Sequence, residues 1–143
     1  MERRALQGIL FVLSLIPILN LLVGFLSGVA AFGIAPEGHA VNLDSQLRYL
    51  SGVYVAISIV IWWSVPRIES RVVPLRLVAL GIVLGGLGRV LSVATYGWPP
   101  DPAMVGGLFL EVLGVPLLVL WHASFARRHG PGAAVRAEPA RAA

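Results

Sequence analysis

The sequence predicts an all-α membrane protein: a four-helix transmembrane bundle running up-down-up-down, with both termini cytoplasmic. Three observations predict it. Of 143 residues, 57% are hydrophobic and 13% charged, whereas a soluble domain is about half apolar and a quarter charged. Four apolar runs have the length a bilayer demands, roughly 20 residues at 1.5 Å each. All eleven basic residues are arginine and the net charge is +4, carried on short polar stretches between the apolar runs, which is a membrane-orientation signal and not a nucleic-acid surface.

The spans fall at about 6–32, 46–65, 74–95 and 102–125 by hydropathy and length. The first follows Met1-Glu2-Arg3-Arg4 and ends near Gly28-Val29-Ala30-Ala31. A cleaved leader has an apolar region of only about 7 to 15 residues, so this run is expected to be a retained span. Pro36, Gly38 and Asn42 break the chain before span two, with Asp44 the expected N-cap. Pro66 closes span two and Pro74 opens span three. The Gly97 to Pro102 turn lets Asp101 cap span four, with Pro102 at its first helical position. Residues 129–143, rich in Ala, Pro, Gly and Arg, lack apolar periodicity and are expected to be a disordered cytoplasmic tail.

Four crossings place Arg3, Arg4, Arg67, Arg71, Arg76, Arg127, Arg128, Arg136 and Arg141 on one side, leaving Arg48 and Arg89 toward the other. The positive-inside rule makes the richer side cytoplasmic, with Trp62, Trp63 and Trp121 at that interface and Trp98 at the outer one. Gly24 with Gly28, and Gly81 with Gly85, form small-residue steps that suit close helix packing. Pro17 and Pro116 each remove a backbone donor, predicting kinks near Leu13 and Val112. Asn20 is expected to bond between helices.

Ionisable groups within spans are costly and seek partners. Glu111 lies ten residues past Asp101 and Arg89 seven before Tyr96, so the two are expected to pair. On span two, Asp44, Arg48, Ser51, Val55, Ser58 and Trp62 recur at helical steps and draw an inward stripe. Arg89, Ser92 and Tyr96 draw a matching one on span three. The expected site is a charge-balanced cluster of Asp44, Arg48, Ser51, Arg89, Ser92, Tyr96 and Glu111, opening outward. Two accounts of it stand. In one, a paired network fixes which helix faces meet. In the other, the cluster is a polar pocket whose arginines bind or pass a small acid or an anionic lipid from the outer side.

Sharper chemistries find no motif. There is no cysteine, which excludes disulfides and thiolate metal sites. His39, His122 and His129 fall in a loop, at an interface and in the tail, so haem ligation across spans has no support, and His122 is expected to be an interfacial anchor. No phosphate loop, metal-ligand spacing or nucleophile elbow is present. No catalytic residue, cofactor or metal is therefore expected, and nothing argues for an enzyme. Small multidrug transporters share the size and span number, but carry a carboxylate in the first span where this chain has Asn20.

Several stretches taken together carry a resemblance. These are Asp44-Ser45-Gln46-Leu47-Arg48-Tyr49-Leu50-Ser51-Gly52, Trp62-Trp63, Pro66-Arg67-Ile68-Glu69, Gly85-Gly86-Leu87-Gly88-Arg89-Val90-Leu91-Ser92, and Glu111, Pro116 and Trp121. The chain up to about Arg128 resembles a bacterial membrane family catalogued as domain of unknown function 4345. The resemblance implies four spans in the bacterial inner membrane, no established activity, and membership of Asp44, Arg48, Arg89 and Glu111 in the family pattern. The tail and the Tyr96-Gly97-Trp98 turn depart from that pattern. The expected partners are the bilayer, an anionic lipid or small acid, and, under the structural account, another membrane protein.

Overall fold

The computed structural model describes residues 1–130. The described residues form an all-helical structure with no strand among them. Four helical stretches, Glu2–Phe25, Ala40–Arg67, Val72–Tyr96 and Pro102–His129, are long and apolar enough to cross a membrane. The expected tail at 129–143 lies, from residue 131 onward, outside the described residues.

Many of the large apolar side chains face outward, while Leu6, Val29, Ile61, Ile68 and Phe125 are buried. Leu15, Leu19 and Leu22 in the first stretch, Leu77, Leu84 and Leu91 in the third, and Leu113, Leu117 and Leu120 in the fourth are all exposed, while Ser14, Ser51, Ser58 and Ser64 are buried. Buried serines and outward leucines suit lipid, because hydrocarbon solvates leucine and leaves polar groups to find partners within the protein.

The chain divides into two compact units, one essentially residues 3–66 and the other from Arg67 onward. In the first unit, α1 (Glu2–Asn20) runs into a π turn at Leu21–Phe25 and a 3-10 turn at Gly28–Phe32. It is joined to α2 (Ala40–Ser64), which ends in a 3-10 turn at Val65–Arg67. Arg3 Nη2 donates to the Pro66 carbonyl at 2.9 Å and Gln7 Nε2 to that of Val65 at 2.9 Å. The start of α1 thus lies beside the end of α2, and the two are antiparallel. Helix α2 begins at Ala40 with His39 at its N-cap, so Asp44 lies inside the helix and not at the cap expected for it.

The second unit holds α3 (Val72–Tyr96), α4 (Pro102–Phe109), a π turn at Leu110–Gly114 and α5 (Val115–His129). Asp101 Oδ1 accepts from the Ala103 N–H at 2.9 Å with Pro102 opening the helix, satisfying a backbone donor the first turn leaves free. Pro116 has no N–H to offer and its ring crowds the carbonyl four residues back. The chain answers with the π turn just ahead of it, where the Val115 N–H reaches the Leu110 carbonyl, so the irregularity expected near Val112 takes this form. Around Pro17, α1 is helical from Leu13 to Asn20, and a π turn follows at Leu21. Asn20 Nδ2 donates to the Ile16 carbonyl of its own helix at 3.3 Å, not to another helix.

Candidate functional site

In the first unit the polar stripe of α2 meets α1 at two levels. At the lower level Ser58 Oγ donates to the Ser14 carbonyl at 2.6 Å and Trp62 Nε1 to Ser14 Oγ at 2.7 Å, while Ser14 Oγ donates to the Phe11 carbonyl at 2.6 Å. Ser14 and Ser58 are fully buried. Trp62 is expected both at the interface and at the end of the inward stripe of span two. Its indole N–H closes this network, since a buried hydroxyl one helix away is a better partner than none.

At the upper level the first helix ends against an ion pair. Arg48 Nε lies 2.7 Å from Asp44 Oδ2, one helical turn apart on α2. The same guanidinium donates through Nη1 to the Phe25 carbonyl at 2.6 Å and the Leu26 carbonyl at 3.1 Å, and Asp44 Oδ1 accepts the Val29 N–H at 2.9 Å. A helix end leaves carbonyls without partners and carries partial negative charge. Arg48 supplies donors and positive charge there, and Asp44 takes the amide just beyond. Gly28 makes the approach feasible. Its φ is +57°, and a Cβ there would overlap Asp44 Oδ1 and sit 2.7 Å from Arg48 Nη2. Four residues earlier, a Cβ on Gly24 would overlap Ser51 Oγ. The Gly24 and Gly28 step expected from sequence is therefore the packing surface between α1 and α2, with Ser51 buried on it and donating to the Leu47 carbonyl at 2.7 Å.

The second unit holds the other pair. Arg89 Nε on α3 lies 3.0 Å from Glu111 Oε2 in the π turn of the fourth stretch, with the side chains 41% and 13% exposed. The contact is electrostatic and not a hydrogen bond: Oε2 is buried with no hydrogen-bond partner, so the Nε–H is not aimed at it. Arg89 Nη1 donates instead to the Met104 thioether at 3.4 Å, a weak acceptor. The helices close on each other through Gly86, where a Cβ would meet Glu111 Cβ at 2.9 Å and Val112 Cγ2 at 3.0 Å. Gly107 leaves room beside Arg89 Nη1, which would stand 3.6 Å from a Cβ there. The step expected at Gly81 and Gly85 meets nothing within 4 Å, so Gly86, one residue on, carries the close contact.

Each expected charge thus has its partner within its own unit, Asp44 with Arg48 and Glu111 with Arg89. Ser51 belongs with the first pair. Ser92 and Tyr96 lie on α3 beyond Arg89 and are exposed. Sequence reasoning missed Ser14, Gly86, Met104 and His122. His122 is buried, and its Nε2 lies 2.7 Å from the Ile68 carbonyl, which makes Nε2 the protonated nitrogen. It pins the turn before α3 to α5 and is not the interfacial anchor expected. Among the described residues no cluster of His, Asp and Glu is placed to hold a metal ion.

The two pairs are chemically unlike. The Asp44–Arg48 pair spends its hydrogen bonds on the end of α1 and closes structure. In the Arg89–Glu111 pair, one carboxylate oxygen lacks a hydrogen bond and the guanidinium has only a thioether for Nη1. A planar cation with unspent donors is suited to a carboxylate or phosphate, which it can grip with two parallel bonds.

A family model described as Domain of unknown function (DUF4345) matches residues 5–122. No curated protein and no solved structure matches the chain.

Proposed function

The chain belongs to the DUF4345 family, and from that premise we propose that it is a multi-pass protein of the bacterial inner membrane whose Arg89–Glu111 site binds a small anionic or lipid ligand from the outer side. The observation that carries this is the incomplete closure of the pair: Glu111 Oε2 is buried without a hydrogen bond, while Arg89 is 41% exposed with a thioether as the acceptor for Nη1. Arg89 stands seven residues from the Tyr96 end of α3, roughly 10 Å, and Glu111 nine past Pro102, roughly 14 Å. Both therefore lie within the apolar thickness, where an ionic group without full pairing is expensive and marks function more often than packing. An anion would approach the Nη edge of the guanidinium, past Ser92 and Tyr96. Because Glu111 already neutralises Arg89, the ligand gains hydrogen bonds more than net charge, and binding is selective for shape before it is tight.

The orientation rests on Arg3, Arg4, Arg67, Arg71, Arg76, Arg127 and Arg128, which four crossings put on one face. Both termini are then cytoplasmic and the site opens outward. A cysteine introduced at Ser70 would react with a membrane-impermeant reagent only in inverted vesicles. Labelling from outside intact cells would reverse the orientation.

A second account, a structural or assembly subunit with no ligand of its own, is favoured by the first pair, whose donors are used up internally. Mass spectrometry of detergent-extracted protein separates the two. An anionic lipid or small acid retained near one per chain, and lost on Arg89→Leu, is expected for a binding protein. A stoichiometric partner chain with no such ligand is the assembly outcome.

A further inference from the structure

Arg89 spends its Nη1 donor on sulfur. The acceptor is the Met104 thioether at 3.4 Å, and a thioether is among the weakest acceptors a side chain offers. Met104 is the third residue of α4 and half-buried, roughly 3 Å below the helix start. It therefore stands near the end of the span, within reach of a small solute from water, while Glu111 lies deeper. Gly107, one turn on along the same face, brings no side chain into the space beside Nη1, where a Cβ would stand 3.6 Å away. A leucine would fill the volume of Met104 equally well; what the thioether adds is a sulfur lone pair beside a cationic N–H donor. The chain has two methionines and no cysteine, and Met1 is fully exposed, so Met104 holds the chain's one sulfur inside the fold.

We propose that Met104 is a reversible sulfoxidation site through which a peroxide shuts off the anion-binding edge of Arg89. The shut-off builds on the reading of the Arg89–Glu111 pair as an anion site. In the forward step the sulfur lone pair attacks one oxygen of hydrogen peroxide, and the O–O bond breaks as the S–O bond forms. The departing hydroxide takes the proton left on the transferred oxygen and leaves as water. Sulfur gives up an electron pair, and that pair reduces the peroxide. A methionine sulfoxide reductase reverses the step: the oxygen leaves as water and a pair of thiols becomes a disulfide. The sulfoxide oxygen carries partial negative charge and is a far stronger acceptor than the thioether, and it grows on the sulfur toward which Nη1 already donates. Held there, it occupies one of the paired donors with which Arg89 would grip a carboxylate or phosphate. In the reduced state the weak contact to sulfur yields to an anion at little cost.

The test uses the full chain in neutral micelles with nitrogen-labelled arginine, treated with millimolar hydrogen peroxide and probed with octanoate or a short-chain phosphatidic acid. Peptide mass mapping should find one added oxygen on Met104, removed by methionine sulfoxide reductase with dithiothreitol, with Met1 as the exposed reference. Oxidation alone should move the Arg89 Nη signals and leave those of Arg48, bonded to Phe25 and Leu26, in place. Binding of the probe anions should weaken at least about tenfold, the worth of one hydrogen bond to a charged group. Met104→Leu should keep its Arg89 signals and its affinity through the same treatment. Met104→Gln, with an amide oxygen in place of the sulfoxide, should bind weakly without any oxidant. Met104 left intact where Met1 is fully converted, Arg89 signals indifferent to oxidation, or equal anion binding before and after it would each overturn the proposal. Anions bound by neither form would overturn the anion site and the shut-off with it; the Arg89 shift on oxidation, which needs no ligand, tells that failure apart from a failure at Met104.

Discussion

Removing the two members of the Arg89–Glu111 pair one at a time should cost unequal amounts, and the inequality follows from their burial. Breaking a buried pair costs about 3 to 5 kcal/mol because one charge is left uncompensated. Glu111 is 13% exposed, so Arg89→Leu strands a carboxylate with little solvent and should cost about 3 kcal/mol, near the lower end of that range. Arg89 is 41% exposed. After Glu111→Leu its long side chain can extend toward the Tyr96 end of α3, and the loss should be about 1 to 2 kcal/mol. The double variant strands nothing and should lose only about 1 kcal/mol, leaving a coupling of about 3 to 4 kcal/mol in a double-mutant cycle. Equilibrium unfolding in mixed micelles measures all four proteins on one scale. Additive losses, or a larger loss for Glu111→Leu than for Arg89→Leu, would refute the pairing and the burial argument together.

Three further substitutions probe the scaffold by the same unfolding assay. Gly28→Ala places a Cβ on Asp44 at a backbone φ of +57° and should cost at least about 2 kcal/mol from the backbone conformation and the displaced carboxylate. Gly86→Ala presses on Glu111 Cβ and Val112 Cγ2 and should cost about 1 to 3 kcal/mol by overpacking, while Gly85→Ala, which meets nothing, should be neutral or slightly stabilising. His122→Leu leaves the buried Ile68 carbonyl without its donor and should cost about 1 to 3 kcal/mol; a neutral result would mean that the turn before α3 is held by other contacts.

Lone charges and small-residue steps were legible in the sequence because each implies a partner by physical necessity. Arg89 and Glu111 are the ionisable residues within the last two spans away from their ends, and the cost of leaving either alone predicts that they meet, as they do at 3.0 Å. Gly24 and Gly28 sit four apart in the turns that follow α1 and are where α2 closes on the first stretch. What stayed hidden depends on which of several equivalent options tertiary packing takes. Asp44 follows a loop and reads as a cap, yet α2 starts at Ala40 and the carboxylate turns to the Val29 amide and Arg48. Span three offers Gly81, Gly85, Gly86 and Gly88, and helix rotation, which no local signal fixes, selects Gly86. A histidine next to a tryptophan near a span end looks interfacial, and only the fold of the 65–71 turn shows a carbonyl waiting for it. The π turn at Leu110–Gly114 has a local cause in Pro116, but its consequence, setting Glu111 opposite Gly86 and Arg89, emerges only with α3 in place.

The central claim is that Arg89 carries donors available to an anionic group within the membrane thickness. Nitrogen NMR of the guanidinium, with arginine labelled in the full chain in micelles, reports it most directly, because Arg89 can be assigned by its loss in Arg89→Leu. Addition of a short-chain fatty acid should shift the Arg89 Nη signals saturably and leave those of Arg48, already bonded to Phe25 and Leu26, in place. An Arg89 signal indifferent to carboxylate and to phosphate, or one that moves no more than that of Arg48, would contradict the account.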